Sequence, residues 1–210
     1  MKIVNSIVIT SCSLILFTML GCKPSPSGSA EEGKAEAQEE KITPPLGKTS
    51  DPASEEALRQ AALDGMHTQV KSLLDKGTKV DAPDADGHTA LMFAAFNGHS
   101  EIILSLLEQG AVLDRRDLMG RTALLYASTG PFPETVKILL DKGAKPNVVD
   151  SDEHFSPLMH AAAEGNLAVV KVLMAHGADL NLRDVDGDDA ESFARQAGHQ
   201  QVADYLHSLR

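Results

Sequence analysis

Between residues 54 and 209 apolar residues recur at three- and four-residue spacings in short bursts separated by polar turns. Ile102, Ile103, Leu106 and Leu107 form one burst, and Val169, Val170, Leu173 and Met174 form another. Such spacing lines up one face of a helix. Ahead of each lies a shorter, alanine-rich burst, as in Leu91, Ala94 and Ala95, or Leu124 and Ala127. Thr89, Thr122 and Ser156 precede these shorter bursts, where a hydroxyl can accept from the free N–H groups of a first helical turn. Gly98 or Gly165 separates the two helices of a pair, and a further glycine ends the second, as a left-handed C-terminal cap requires. The pattern predicts pairs of short antiparallel helices, the first of each pair lined with small residues that permit close stacking.

These pairs repeat. The eight residues from Asp84 to Leu91, Asp-Ala-Asp-Gly-His-Thr-Ala-Leu, return from Asp117 to Leu124 as Asp-Leu-Met-Gly-Arg-Thr-Ala-Leu. Second helices close at Leu73-Leu74, Leu106-Leu107, Leu139-Leu140 and Leu173-Met174, each followed by a glycine, at Gly77, Gly110, Gly143 and Gly177. A fixed period of this length is the signature of a stacked repeat architecture. The residues resemble the ankyrin-repeat family, whose unit is a β-turn followed by two antiparallel helices. The resemblance implies an all-α repeat solenoid, with about five units stacked into one curved domain over residues 51–210. The units are Ser54–Ala82, Pro83–Arg116, Asp117–Val149, Asp150–Arg183 and Asp184–Arg210.

A single helix pair cannot bury its apolar face, so the core must run continuously through neighbouring units. The end units read as caps. The first lacks the Asp-x-x-Gly-x-Thr turn, and the last carries Asp189 in place of Thr and Glu191 in place of Leu, a polar change expected where the end face meets water. Two internal departures are expected to deform the stack locally. Gly130-Pro131-Phe132-Pro133 replaces the usual Gly-His step, and one residue is inserted within Asp150–Phe155, where the turn glycine is lost.

The first 21 residues combine Lys2, an apolar run from Ile7 to Leu20 and Gly21, the layout of a secretion signal. The run is short for a membrane span, which needs about 20 apolar residues. Met19-Leu20-Gly21-Cys22 resembles the bacterial lipoprotein box, which implies cleavage before Cys22 and lipidation of that cysteine. An ordinary signal with an incidental Cys22 is the alternative. Cys12, the other cysteine, lies within the signal, so the mature chain has no partner for a disulfide. Residues 22–50 then comprise the lipidated cysteine and a Pro-, Ser-, Gly-, Glu- and Lys-rich tether too poor in apolar residues to fold. Lys23 after the cysteine favours outer-membrane anchoring facing the periplasm in a Gram-negative cell; a Gram-positive cell would place the chain on the outer face of its single membrane.

Five lysines and five glutamates precede Asp51 and cancel, so the formal charge of −11 falls entirely on residues 51–210. Such a surface disfavours nucleic acid and bare anionic membrane and favours a basic protein partner; solubility alone is the competing reason for the charge. No metalloprotease His-Glu-x-x-His, paired Cys-x-x-Cys, phosphate loop or Gly-x-Ser-x-Gly elbow occurs, so no catalytic residue, metal site or cofactor is assigned. His67, His88, His99, His154, His160, His176, His199 and His207 are assigned structural or surface roles. The acidic run Asp184, Asp186, Asp188, Asp189 and Glu191 fails as a calcium loop, because with Gly187 as the turn glycine the first and last ligand positions fall on Leu182 and Phe193.

The resemblance also implies where partners bind: turn tips and the exposed side of the first helices, forming a concave face. The matching positions include Asp86, His88, Phe96 and Asn97, then Leu118, Met119 and Arg121, then Glu153, Phe155 and Glu164. Leu118, Met119, Phe96 and Phe155 are the expected apolar anchors; Phe96 and Phe155 have the alternative of tucking into neighbouring turns. The functional expectation is a monomeric, membrane-tethered adaptor or inhibitor of an envelope protein, such as a cell-wall or stress-response enzyme. A structural spacer without a discrete partner is the alternative.

Overall fold

A computed structural model describes residues 51–210. The expected signal of residues 1–21, lipidation at Cys22 and the tether of residues 22–50 lie outside the described residues. Among the described residues there are ten helices and no strand: α1 (Pro52–Leu63), α2 (His67–Asp75), α3 (Ala90–Phe96), α4 (Ser100–Glu108), α5 (Ala123–Ser128), α6 (Pro133–Asp141), α7 (Pro157–Ala163), α8 (Leu167–Ala175), α9 (Ala190–Gln196) and α10 (Gln200–His207). They form five successive helix pairs, so the all-α solenoid expectation holds.

First helices begin where the hydroxyl pattern predicts. Thr89, Thr122 and Ser156 accept from the backbone N–H groups of Met92, Leu125 and Met159. Asp51 and Asp189 do the same for α1 and α9, so the Asp in the last unit keeps the cap rather than losing it. Leu91, Ala94 and Ala95 of α3, Leu124 and Ala127 of α5, and Leu158, Ala161 and Ala162 of α7 join Ile102, Ile103, Leu106, Leu139, Val169, Val170 and Leu173 in one uninterrupted core. At about 25 cal/mol per Å² of apolar surface removed from water, this shared interior is the main stabilising term.

Polar bonds tie each unit to the next in two rows. Along the turns, the N–H of Leu118 donates to Asp86 O (2.9 Å), that of Ser151 to Met119 O (2.8 Å) and that of Val185 to Glu153 O (3.1 Å). Behind the second helices, the carboxylates of Asp81 and Asp114 and the amide oxygen of Asn147 accept from the N–H groups of Val112, Lys145 and Asp179, each in the following unit.

Two expectations are narrowed and one needs correction. The deformation at Gly130–Pro133 is confined to one helix end. Pro131 occupies the place of Gly98 and cannot adopt its positive φ, so α5 ends one residue sooner than α3. Yet Phe132 lies over Gly98 as His99 lies over Gly65 and His199 over Gly165, and α6 keeps the nine residues of α4. The inserted residue of the fourth unit is likewise absorbed within its turn. His154 takes a left-handed conformation (φ 61°) in the missing glycine's stead, and the turn-to-turn bonds on both sides persist. Finally, Asp189 and Glu191 do not face water. Both are buried: Arg210 pairs with both, while Arg195 and His207 pair with Glu191. The Arg210 guanidinium thus lies against both carboxylates and neutralises charge that would be costly to bury alone.

Candidate protein-binding face

Each inter-unit turn is built on one aspartate. The Oδ1 of Asp84 accepts from the N–H groups of Asp86 and His88, that of Asp117 from Met119 and Arg121, that of Asp150 from Glu153 and Phe155, and that of Asp184 from Asp186 and Asp188. A carboxylate that accepts two backbone bonds from the next few residues fixes a tight turn. It also pushes the two intervening residues outward, and this is what exposes the tips.

The exposure of those tips is uneven. Leu118 is 73% exposed and Met119 42%, side by side in the third unit, and Val185, at the position of Leu118 two units on, is 55% exposed. Asp86, Asp152 and Asp186 are exposed and Glu153 is half-buried. Leu118 and Met119 are thus two adjacent large apolar side chains exposed at one turn tip.

Behind the tips runs a row of rings that had no place in the expectations. Phe93, Tyr126, His160 and Phe193 occupy one position of successive first helices and are all half-buried. Residues from the turns interleave with them. The His88 ring meets Phe93 (5.5 Å) and Tyr126 (5.8 Å) edge-on, the Arg121 guanidinium lies 4.9 Å from the Tyr126 ring centre, and Phe155 meets His160 (5.6 Å) and Phe193 (5.1 Å). Edge-to-face pairs of this kind add about 0.5–1.5 kcal/mol beyond their burial. The signal for the row was available as a recurring ring at intervals of 33, 34 and 33 residues, but those residues fall among the alanines of a short helix and read as ordinary helix filling.

Asp117 is the electrostatic centre. Its side chain is fully shielded, and Oδ2 accepts from Tyr126 Oη (2.7 Å) and Arg121 Nε (2.9 Å), with His88 Nε2 at 3.6 Å. Burial alone would push its carboxyl up. The Tyr126 hydroxyl, the Arg121 backbone N–H and the Arg121 guanidinium outweigh that and hold it below the ordinary range. Burial and the bond to Asp117 raise Tyr126 in turn, which keeps its proton on the phenol. His160 is pushed down to about 4, first by burial and then by the Arg121 charge, against the opposing pull of Asp150.

The anticipated contact residues therefore separate. Asp86, Leu118, Met119 and Glu164 are free for a partner, and Glu153 stands half-buried at a tip. His88 is bonded to Asp84 (2.8 Å), Arg121 is spent on Asp117, and the Asn97 amide donates to Leu63 O (2.7 Å). Phe96 packs edge-on to Tyr126 at 6.2 Å. Phe155 is corrected from exposed anchor to packing residue: its ring rests on the core between His160 and Phe193, because the longer fourth turn lays it inward.

Two arrangements look chemical. Ligand atoms of Asp84, Asp86 and His88 lie within 4.8 Å of one another, but both Asp84 oxygens are engaged, by two backbone N–H groups and by His88 Nδ1. Glu101, His67 and Ser105 line up as carboxylate, imidazole and hydroxyl, with His67 at 3.2 Å from Glu101 and 2.9 Å from Ser105. Ser105 sits inside α4, where backbone N–H groups are committed to the helix, so no donor pair is left beside it to hold an oxyanion. In the acidic run of the last unit, Asp184 builds the turn, Asp188 accepts from Gln196, and Asp189 and Glu191 bind arginines.

The family model described as ankyrin repeats (3 copies) matches residues 58–150 and 133–209. No curated protein matches the sequence. No helix among the described residues is long and apolar enough to cross a membrane.

Proposed function

The chain belongs to the ankyrin-repeat family, and from that premise we propose that it is a membrane-tethered binding module that docks an envelope protein through its turn tips, as adaptor or inhibitor. Ankyrin repeats are in general non-catalytic protein–protein interaction modules. The observation that carries the reading is the pair Leu118 and Met119, held in water by a turn whose backbone is bonded to the turns on both sides. A partner meets a surface already ordered, so little conformational entropy is lost on docking.

The anchor is read from the chain's beginning. A signal over residues 1–21, the box Met19–Cys22 and a polar tether to residue 50 support a lipidated protein, on the periplasmic face of the outer membrane if the cell is Gram-negative. Changing Cys22 to Ser is expected to move the protein from the membrane pellet to the soluble fraction. Mass spectrometry of the intact protein should at the same time lose the mass of the acyl groups. An unchanged distribution and mass would remove the anchor from the proposal.

Docking is tested by cross-linked pull-down from native envelopes, comparing the intact protein with a Leu118→Asp, Met119→Asp variant. Both side chains project into water, so the variant is expected to keep its helical circular dichroism and melting temperature. Phe155 is left intact because its loss would weaken the core. Truncating central apolar anchors typically costs an interface about 2 kcal/mol or more, about 30-fold or greater in affinity. One envelope protein recovered with the intact form alone supports the module. Recovery of nothing specific by either form favours a spacer.

A further inference from the structure

The four turns carry a charge pattern that the fold does not use. Asp86 in the second unit, Asp152 and Glu153 in the fourth and Asp186 in the fifth hold no ion pair among the described residues, whereas Asp84, Asp117, Asp150 and Asp184 are consumed in building the turns. Arg121 is the lone Lys or Arg within these turns, and its guanidinium is bound to Asp117. The flanking arginines are exposed but engaged within the stack: Arg116 donates to Val149 O, and Arg183 donates to Gly187 O and pairs with Asp189. Between the acidic tips of the second and fourth units stand Leu118 and Met119, and the backbone bonds from Asp86 to Leu118 and from Met119 to Ser151 fix the order acid, apolar, acid along the stack.

Resting on the docking role proposed above, we infer that the partner presents an extended segment in which one or two large apolar side chains are flanked on both sides by lysine or arginine. The apolar residues seat on Leu118 and Met119. The cations seat on Asp86 at one end and on Asp152, Glu153 and Asp186 at the other. A wholly apolar segment would strip water from carboxylates without replacing it, which carries a large penalty for each uncompensated charge. A polyanion meets repulsion from all four. A purely basic segment leaves Leu118 and Met119 uncovered. Only the alternating pattern satisfies both parts of the surface.

The test is selection of random peptides of about 12 residues, long enough to span several turns in extended form, displayed on phage against the full chain immobilised in detergent. Affinities of the selected peptides are then measured for the intact protein, for Leu118→Ser with Met119→Ser, and for the quadruple change Asp86→Asn, Asp152→Asn, Glu153→Gln, Asp186→Asn. The expected consensus is Leu, Met or an aromatic residue between lysines or arginines. Binding should fall about tenfold or more in each variant and weaken between about 50 and 300 mM salt, concentrations chosen to span the range where screening acts. A neutral or acidic consensus overturns the inference. So does binding that the double variant abolishes and the quadruple variant leaves unchanged, a result under which the turn tips remain the docking site. Absence of enrichment, or peptides held equally by both variants, removes the inference and the docking face together.

Discussion

Replacing Gly98 by alanine is expected to destabilise the protein by roughly 2–4 kcal/mol, several times the cost of the same change at Gly110. Both glycines have φ in the left-handed region, +72° and +86°. For an L-residue that conformation costs roughly 1–2 kcal/mol, partly offset by the roughly 0.4–1 kcal/mol that alanine gains by restricting the unfolded chain. Gly110 faces open space, so its substitution should cost about 1 kcal/mol and no more. At Gly98 a Cβ collides with the Phe132 ring, which also packs closely against Gly130. Overpacking of this kind adds about 1–3 kcal/mol. Urea unfolding of the two variants measures the difference directly. Equal losses would show that Phe132 does not lock the third unit onto the second.

The second large effect concerns pH. His160 titrates near 6.5 when the chain is unfolded and is pushed down to about 4 in the fold by burial. Between those values the unfolded chain binds a proton that the folded chain refuses. Stability on this account is complete above pH 6.5 and is lost as pH falls from 6.5 toward 4. Each pH step of one across which the two states differ by a full proton is worth about 1.36 kcal/mol, so the protein should be about 2 kcal/mol less stable at about pH 5 than at about pH 7. Changing His160 to Phe matches the ring at the equivalent positions, Phe93 and Phe193, and removes the titrating group. Its stability should vary little between those two pH values and exceed that of the unaltered protein at the lower one. Denaturant midpoints at the two pH values decide the matter. A fall in the Phe variant equal to that of the original would place the acid sensitivity elsewhere. The depressed carboxyls of Asp84, Asp117 and Asp189 act in the same direction at lower pH, since their stabilisation is lost as pH falls through their folded values.

The two effects show where sequence reasoning reached and where it stopped. Thr89, Thr122 and Ser156 cap their helices as read from position alone, because a cap involves residues two or three apart. The exposure of Leu118 and Met119 was legible because the Asp-x-x-Gly turn around them is local. Phe155 stayed open between exposed anchor and packing residue, since its surroundings, His160 and Phe193, depend on how a turn with one extra residue sits against the next unit. Glu191 was read as water-facing, yet beside its neighbour Arg195 it pairs with His207 and Arg210, 16 and 19 residues further along the chain.

What the amino-acid order determined by itself was the period, the helix pairs, the turns and their left-handed glycines, because each follows from interactions within a handful of neighbouring residues. Tertiary structure decided which polar and aromatic side chains remain available. Asp117, Tyr126, Arg121 and His88 consume one another across two units, Phe132 replaces a histidine by lying over Gly98, and the tip carboxylates are left unpaired. His88 beside Asp117 and Phe132 over Gly98 are contacts between residues about one repeat apart in sequence and adjacent in space, and the energy of such a contact belongs to the pair rather than to either residue read alone.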